Sequence, residues 1–409
     1  MENRSVELET LKRDLENARE MDDREAEADT LKQMGRLHFV RREYDEALER
    51  LIEANETYAD LGMRDGESAC LTSIGEIHLH LGDYDTALVW FEQALEIAYE
   101  IDDPAAICAA LGNMGRLHFI RDNHEEALRC LEQAEEIARD IGDRRTEGAM
   151  LGAMGRVHLR RGNYQRALEY QNSALEIAGE LKDRQSEGIC LGMIGQIYLF
   201  EDEFDKALDS LKQSLEIAEE VGDRLGACVR RGAIGQVYRR LGKNEQALGW
   251  LNEALDECIA FRNRRAECSF RGAIGQAYEA LGDHEKALEH LEKALEIARE
   301  IGDRGAEGEF LGAIGEMDYS RGQYEKSLEN LSRSLRILVR IHDVANERVV
   351  RENLGTLLMK MGRPCDALEH FSRVAEINRD LGLTEQIKDD LRKLDEARKA
   401  CNHLRNRKA

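Results

Sequence analysis

The chain has 409 residues, and its 82 acidic against 58 basic side chains leave a formal net charge of −24. Such a body repels the phosphates of nucleic acid and the headgroups of an anionic membrane, so neither is an expected partner. Aromatic residues make up only 5% and prolines number two, while hydrophobic residues reach 42%, which calls for an aliphatic core and a backbone that is helical nearly throughout.

From the N-terminus, residues 1–23 are charged rather than signal-like, and no stretch approaches the ~18 apolar residues of a membrane span. Nine cysteines (Cys70, Cys108, Cys130, Cys190, Cys228, Cys258, Cys268, Cys365 and Cys401) are scattered without a CxxC pair. The odd count and irregular spacing predict reduced thiols in a cytoplasmic protein, most of them acting as small core hydrophobes.

An internal repeat dominates the rest of the chain. Gly35, Gly75, Gly115, Gly155, Gly195, Gly235, Gly275, Gly315 and Gly355 recur every 40 residues. Leu48, Leu88, Leu128, Leu168, Leu208, Leu248, Leu288, Leu328 and Leu368 keep the same step, each preceded by alanine except at Ser327. Residues 143–182 show one unit. Asp143 is an N-cap candidate after the helix-ending Gly142, and Leu151, Met154, Gly155 and His158 recur at helical spacing. Gly162 closes this helix A; Tyr164 opens helix B, whose face carries Ala167, Leu168, Ala174, Leu175 and Ala178. Pro104 and Pro364 stand where a helix begins, the position at which proline costs least. Small residues at facing positions let two helices approach closely, and hairpins that cannot bury their own apolar faces must stack. The expected organisation is a capping half repeat over residues 1–23, nine repeats over 24–383, and a capping helix with a basic tail over 384–409. Residues 11–23 match a helix B such as 291–303, and Asp395 takes the glycine column in the last helix. No domain boundary is visible.

The patterns L-x-x-[IM]-G-x-x-[YH] in helix A and A-L-x-x-[LFQ]-x-x-[AS] in helix B resemble the tetratricopeptide repeat family. The resemblance implies an all-α fold, a right-handed α-solenoid of about nine helix-turn-helix repeats with half-repeat caps. It is closest to the subgroup found in Pins/LGN-type spindle-orientation adaptors and in prokaryotic regulators.

At roughly 100° per residue, helix A separates into two faces. Leu31, Met34, Gly35 and His38 form the packing face of the first repeat, and Asp29, Lys32, Arg36, Phe39 and Val40 lie opposite. In the resembled family that second face lines a concave groove for peptides. Carried along the array, it nominates Arg36, Phe39, Arg116, Phe119, Arg156, Leu159, Arg160, Gln196, Leu199, Phe200, Gln236, Arg239, Arg240 and Gln276. From Ala109 to Arg240 these positions hold five arginines and no acid, on a strongly negative molecule. Arginine forks suit carboxylates, and Phe39, Phe119, Leu159, Leu199 and Phe200 offer apolar anchors, so the expected ligand is an acidic, partly apolar peptide. The plainer reading is that these arginines offset acids on neighbouring helices. Glu279, Glu309 and Glu316 would repel such a ligand or pair with a basic part of it.

Gly112, Gly152, Gly192, Gly232, Gly272 and Gly312 form a second column, three residues before the first. Each costs about 1 kcal/mol against alanine within a helix, so backbone there must approach either a ligand or the next helix A. His38, His78, His118 and His158 suggest a metal, but repeats stand ~8–10 Å apart and zinc needs every donor within ~2 Å. The column continues as Tyr198, Tyr238 and Tyr278, which reads as a packed ring. The GxxG from Gly232 to Gly235 lies inside a helix and is no phosphate loop, and no catalytic signature appears. The basic residues Arg398, Lys399, Arg405, Arg407 and Lys408 read as a helix C-terminus. No cofactor is implied. The expected function is a non-enzymatic scaffold recruiting another protein or peptide, with self-association open to an uncapped end. The alternative is a prokaryotic sensor module that changes superhelical pitch on binding its peptide.

Overall fold

The computed structural model describes residues 2–408, without the side chains of residues 2–6, 384, 385, 387, 407 and 408. The tail residues Arg407 and Lys408 therefore lie outside the described side chains. Among the described residues there are 20 helices and no strand. They fall into two compact units, Met1–Ile217 and Ala218–Ala409, a division that the uninterrupted repeat does not reveal.

The first unit holds α1 (Glu2–Glu20), α2 (Arg24–Val40), α3 (Tyr44–Leu61), α4 (Arg64–Leu81), α5 (Tyr84–Glu100), α6 (Pro104–Ile120), α7 (His124–Asp140), α8 (Arg144–Arg160), α9 (Tyr164–Glu180), α10 (Arg184–Phe200) and most of α11 (Phe204–Glu220). The second holds α12 (Arg224–Arg240), α13 (Asn244–Ala260), α14 (Arg264–Ala280), α15 (His284–Glu300), α16 (Arg304–Ser320), α17 (Tyr324–Arg340), α18 (Val344–Lys360), α19 (Pro364–Asp380) and α20 (Thr384–Lys408).

The same short signals start and stop these helices. The Asp143 carboxylate accepts the Thr146 N–H at 3.1 Å to cap α8. Asp103 accepts from Ala105 and Ala106, and Pro104 fills the next position, where its missing N–H leaves nothing unpaired. Each turn needs a residue in the left-handed region. Gly142 supplies it at φ +74, whereas Asp102 and Arg262 adopt it at +53 and +55 without glycine's freedom.

Helices pair as hairpins, among them α2 with α3, α8 with α9 and α16 with α17. Each pair closes over its column glycine. A Cβ on Gly35 would stand 2.6 Å from Leu51 Cγ, one on Gly115 2.7 Å from Leu131 Cγ, and one on Gly275 2.7 Å from Leu291 Cγ. In the first unit each A helix also touches the next, α2 with α4, α4 with α6, α6 with α8 and α8 with α10. No two B helices there approach as closely, so the A layer is the inner side.

The second glycine column is explained largely by packing between hairpins. Met150 Cε lies 3.1 Å from where a Gly112 Cβ would be, Phe270 covers Gly232, Phe310 covers Gly272, and Val350 lies 3.2 Å from the Gly312 position. Gly152 differs: nothing comes nearer than 3.9 Å. Within hairpins, exposed ion pairs tie helix A to helix B at a fixed separation of 36 residues: Arg24–Asp60, Arg64–Glu100, Arg144–Glu180 and Arg264–Glu300. Being exposed, they weigh little in stability but fix which charges stand opposite one another.

Two expectations fail at the C-terminal end. Cys365 and Cys401 form a disulfide, their Cα atoms 4.9 Å apart, because α20 folds back along α19. The other seven cysteines are free and buried, as core hydrophobes should be. Asp395 does not take the glycine's place at a helix contact. Among the described side chains of α20 the buried ones are Asp390, Ala397 and Cys401, and Asp395 is exposed. The histidine column is packed as rings. His158 is buried and stacks on Tyr170 at 5.3 Å.

The glycine contacts predict opposite outcomes for one substitution at two sites. Gly275→Ala should lower stability by about 1–2 kcal/mol, overpacking against Leu291 outweighing the gain in helix propensity. Gly249→Ala, on an exposed stretch of α13 with nothing within 4 Å, should raise it by about 0.5–1 kcal/mol. Denaturant titration of both variants checks the pair.

Stability should also depend on pH. Burial lowers the pKa of His118, His158, His290 and His370 from the ordinary 6.5, and the ring Nδ1 of each is enclosed without a partner. The unfolded chain then binds protons more readily, so this contribution is intact above about pH 6.5 and is lost as pH falls below it. The thermal midpoint should drop between pH 7.5 and 5.5, and His158→Tyr, the residue type its column carries elsewhere, should shrink the drop.

Candidate functional site

The inner layer of A helices carries the nominated residues, and the structure gathers them into separate cavities. In the first unit, Arg36 and Phe39 line a cavity of about 550 Å³ with Val40, Ser73, Glu76 and Asn113. Asp65 and Asp103, from the starts of α4 and α6, also reach it. Asn113 Nδ2 donates to Glu76 Oε1 at 3.1 Å. One arginine among three acids is not the cationic trough expected from the A-helix face alone.

Further along, two of the five strip arginines have neighbours that occupy them. Arg116 Nη2 lies 3.3 Å from His80 Nε2, and Arg160 Nη2 lies 3.7 Å from Asp122 Oδ1, both on exposed surface. Arg160 thus faces an acid, as the plainer reading has it, whereas Arg116 meets an imidazole. Phe119 and Leu159 are half-buried, with Phe119 6.4 Å from the His124 ring. Leu199 is only 7% exposed and belongs to the core, so it is withdrawn as an anchor. Phe200 is 54% exposed and stacks on Tyr164 at 6.0 Å, leaving one face open. Gln196 is half-buried.

Arg156 is different. It lines a partly open cavity of about 240 Å³ with Gly148, Gly152, Gln171, Ser186 and Cys190, and makes no hydrogen bond or ion pair with any described residue. Burial pushes its pKa below the ordinary arginine value. The carboxylate in the wall, Asp183, is already engaged by the Ser186 N–H at 3.1 Å and by Arg145 at 3.4 Å. Gln171 Nε2 donates to the Gly152 carbonyl at 2.8 Å. Two residues leave this space open. Gln171 stands where the other hairpins place Leu51, Phe91, Leu131 or Leu211, and Cys190 is one of the small members of a variable column that elsewhere carries Met150, Phe270 or Phe310. The short Cys190 leaves the backbone of Gly152 uncovered, and Arg156 Nη1 lies 4.0 Å from where its Cβ would be. Burial raises the Cys190 thiol to about 11, so it stays neutral beside the guanidinium. A largely desolvated cation whose one carboxylate neighbour is engaged elsewhere is suited to receive a counter-charge.

In the second unit Gln236, Arg239 and Gln276 line a cavity of about 400 Å³ with Gly272, Cys268 and Glu309. Gln276 Nε2 donates to Glu309 Oε1 at 3.2 Å, burial raises the pKa of Glu309, and Arg239 Nε is enclosed without a hydrogen-bond partner. This cavity is mixed in charge. Arg240 is exposed and does not line it. Sequence reading missed Gln171 and Cys190; Gln171 is a break in an otherwise apolar column, while Cys190 sits in a column of mixed residue types and gave no such signal.

Six stretches of the chain, residues 26–100, 106–180, 146–220, 188–258, 227–300 and 265–338, match the tetratricopeptide repeat. No curated protein sequence matches. Among solved structures, the apo form of the quorum sensor NprR from B. thuringiensis is similar over 83% of this chain and 99% of its own, at 14% identity and a TM-score of 0.61. The Rap conjugation gene regulator of the plasmid pLS20, in complex with a Phr peptide, is similar over 90% and 97%, at 14% identity and 0.57. Apo RapI is similar over 67% and 98%, at 17% identity and 0.55. At these identities the likeness is one of fold. With the matched stretches spanning most of residues 26–338, the chain belongs to the tetratricopeptide repeat family.

Proposed function

We propose that this chain is a non-catalytic peptide receptor whose Arg156 cavity takes an acidic side chain or a terminal carboxylate from its ligand. The observation that carries the reading is the desolvated, uncompensated guanidinium of Arg156. At about 240 Å³ the cavity is smaller than the ~300–1,000 Å³ typical of small-molecule pockets, so it has room for one side chain of a longer segment. The exposed Leu181 and Ile189, in the cavity's own lining, and the exposed ring of Phe200 on the adjoining α10 are the apolar anchors available to that ligand. The ligand remains an acidic, partly apolar peptide, but it is held at one cavity rather than along a cationic strip.

A second reading, that binding changes the curvature of the stack and so signals, is favoured by the likeness to a quorum sensor and to Rap regulators. Small-angle scattering with and without captured peptide separates a responsive module from a stiff one.

The test uses three substitutions. Arg156→Gln removes the charge, and Cys190→Phe fills the cavity as Phe270 does over Gly232. Arg160→Gln alters a guanidinium that already faces Asp122. A hydrogen bond to a charged group is worth about 1.5–3 kcal/mol, so the first two should weaken peptide binding roughly 10- to 150-fold and the third should change it little. Unchanged binding by the Arg156→Gln protein ends the proposal.

A further inference from the structure

The ion pairs that tie helix A to helix B within a hairpin follow a rule, and one hairpin reverses its sign. An arginine opening helix A pairs with an acid 36 residues on, at the end of helix B: Arg24–Asp60, Arg64–Glu100, Arg144–Glu180 and Arg264–Glu300. For Arg224 the corresponding residue is the uncharged Ala260, and its guanidinium rests over the Phe261 ring; for Arg304 it is Arg340. One turn earlier, the column of Glu56, Glu96, Glu136, Glu176, Glu216, Asp256, Glu296 and Glu376 is acidic throughout except at Arg336. Both sign reversals fall in α17.

Their effect is visible in the side chains. Arg304 is 67% exposed, against 42% for Arg64 and Arg144 and 43% for Arg264, because no carboxylate draws it onto helix B. Arg304, Arg333, Arg336 and Arg340 line an open concavity of about 610 Å³ floored by Ile337 and Ile341, and no acid is among the lining residues. Arg304 keeps Glu307 at 2.6 Å and Arg333 faces Glu329 at 3.8 Å. Arg336 and Arg340 have no ion pair among the described residues.

We infer that this concavity on α16 and α17 is a second docking site, for an acidic segment of a partner protein. It is built on the end of a B helix, apart from the A-helix face that bears the other cavities. Guanidinium forks fit carboxylates, and the two isoleucines seat an apolar side chain between them. Nucleic acid fits less well: its charge density of about one per 1.7 Å would bring many phosphates against a body of net charge −24, whereas a short acidic segment stays within the patch. At physiological salt, charges beyond ~8 Å are largely screened, so the local cluster governs recognition of that segment.

The probe is a fluorescein-labelled peptide alternating paired glutamates with isoleucine, measured by anisotropy on the full chain. Arg336→Glu with Arg340→Glu restores the acidic columns and the missing partner for Arg304, so the fold should be kept or stabilised. In a chain already carrying Arg156→Gln, which silences the first cavity, that variant should lose binding at least ten-fold, as should Arg336→Gln with Arg340→Gln, while Arg129→Gln, at an exposed arginine of α7, should leave binding unchanged. Parent affinity should weaken as salt rises. Equal binding by the double glutamine variant, no binding by the parent, or tighter binding of a single-stranded oligonucleotide of the same length would overturn the assignment.

Discussion

Every hairpin depends on one close approach: a glycine in helix A lying under the side chain sixteen residues later in helix B. Gly35 with Leu51, Gly75 with Phe91 and Gly235 with Leu251 are the same contact repeated, each too tight for a methyl group without adjustment. Dispersion attraction falls off steeply with distance, so this approach sets how much apolar surface the pair buries. Once it is fixed, the next hairpin can dock only where its own side chains fit, which is why the second glycine column exists. The stack is therefore a chain of local contacts, and its stability is close to a sum of hairpin and interface contributions.

Such regularity gives departures their meaning. Where the facing residue is Gln171 and the covering residue is Cys190, the space that Phe270 or Phe310 fills elsewhere stays open and a guanidinium occupies its wall. Where an acid becomes Arg340, an ion pair becomes a cationic concavity. Neither change disturbs the backbone pattern. The scaffold tolerates them because each hairpin carries its own packing.

Fold and period were legible because all their determinants lie within one 40-residue unit: the caps, the left-handed turn residue and the A-to-B glycine contact. The site was less so. Reading one helix by angle separates two faces of an isolated cylinder, but α4 is flanked by α2 and α6, and its Leu79 is covered despite standing on the nominated side. Leu199 occupies the same position and is buried too. Two of the three acids of the first cavity, Asp65 and Asp103, come from helix starts, not from the A-helix face. Cys190 acts on Gly152 across 38 residues of sequence, a relation visible only after the hairpins are stacked. Cys365 and Cys401 likewise meet only because α20 folds back on α19.

The unvarying interval between helix starts has a consequence for how such a molecule can change over time. Because helices open at Arg24, Arg64, Pro104, Arg144 and onward at the same step, losing or duplicating one interval joins a hairpin to a neighbour of the same shape. Recombination between similar coding segments would yield longer or shorter arrays that still fold. Specialised hairpins such as the one holding Arg156 could then be copied or moved as whole cassettes.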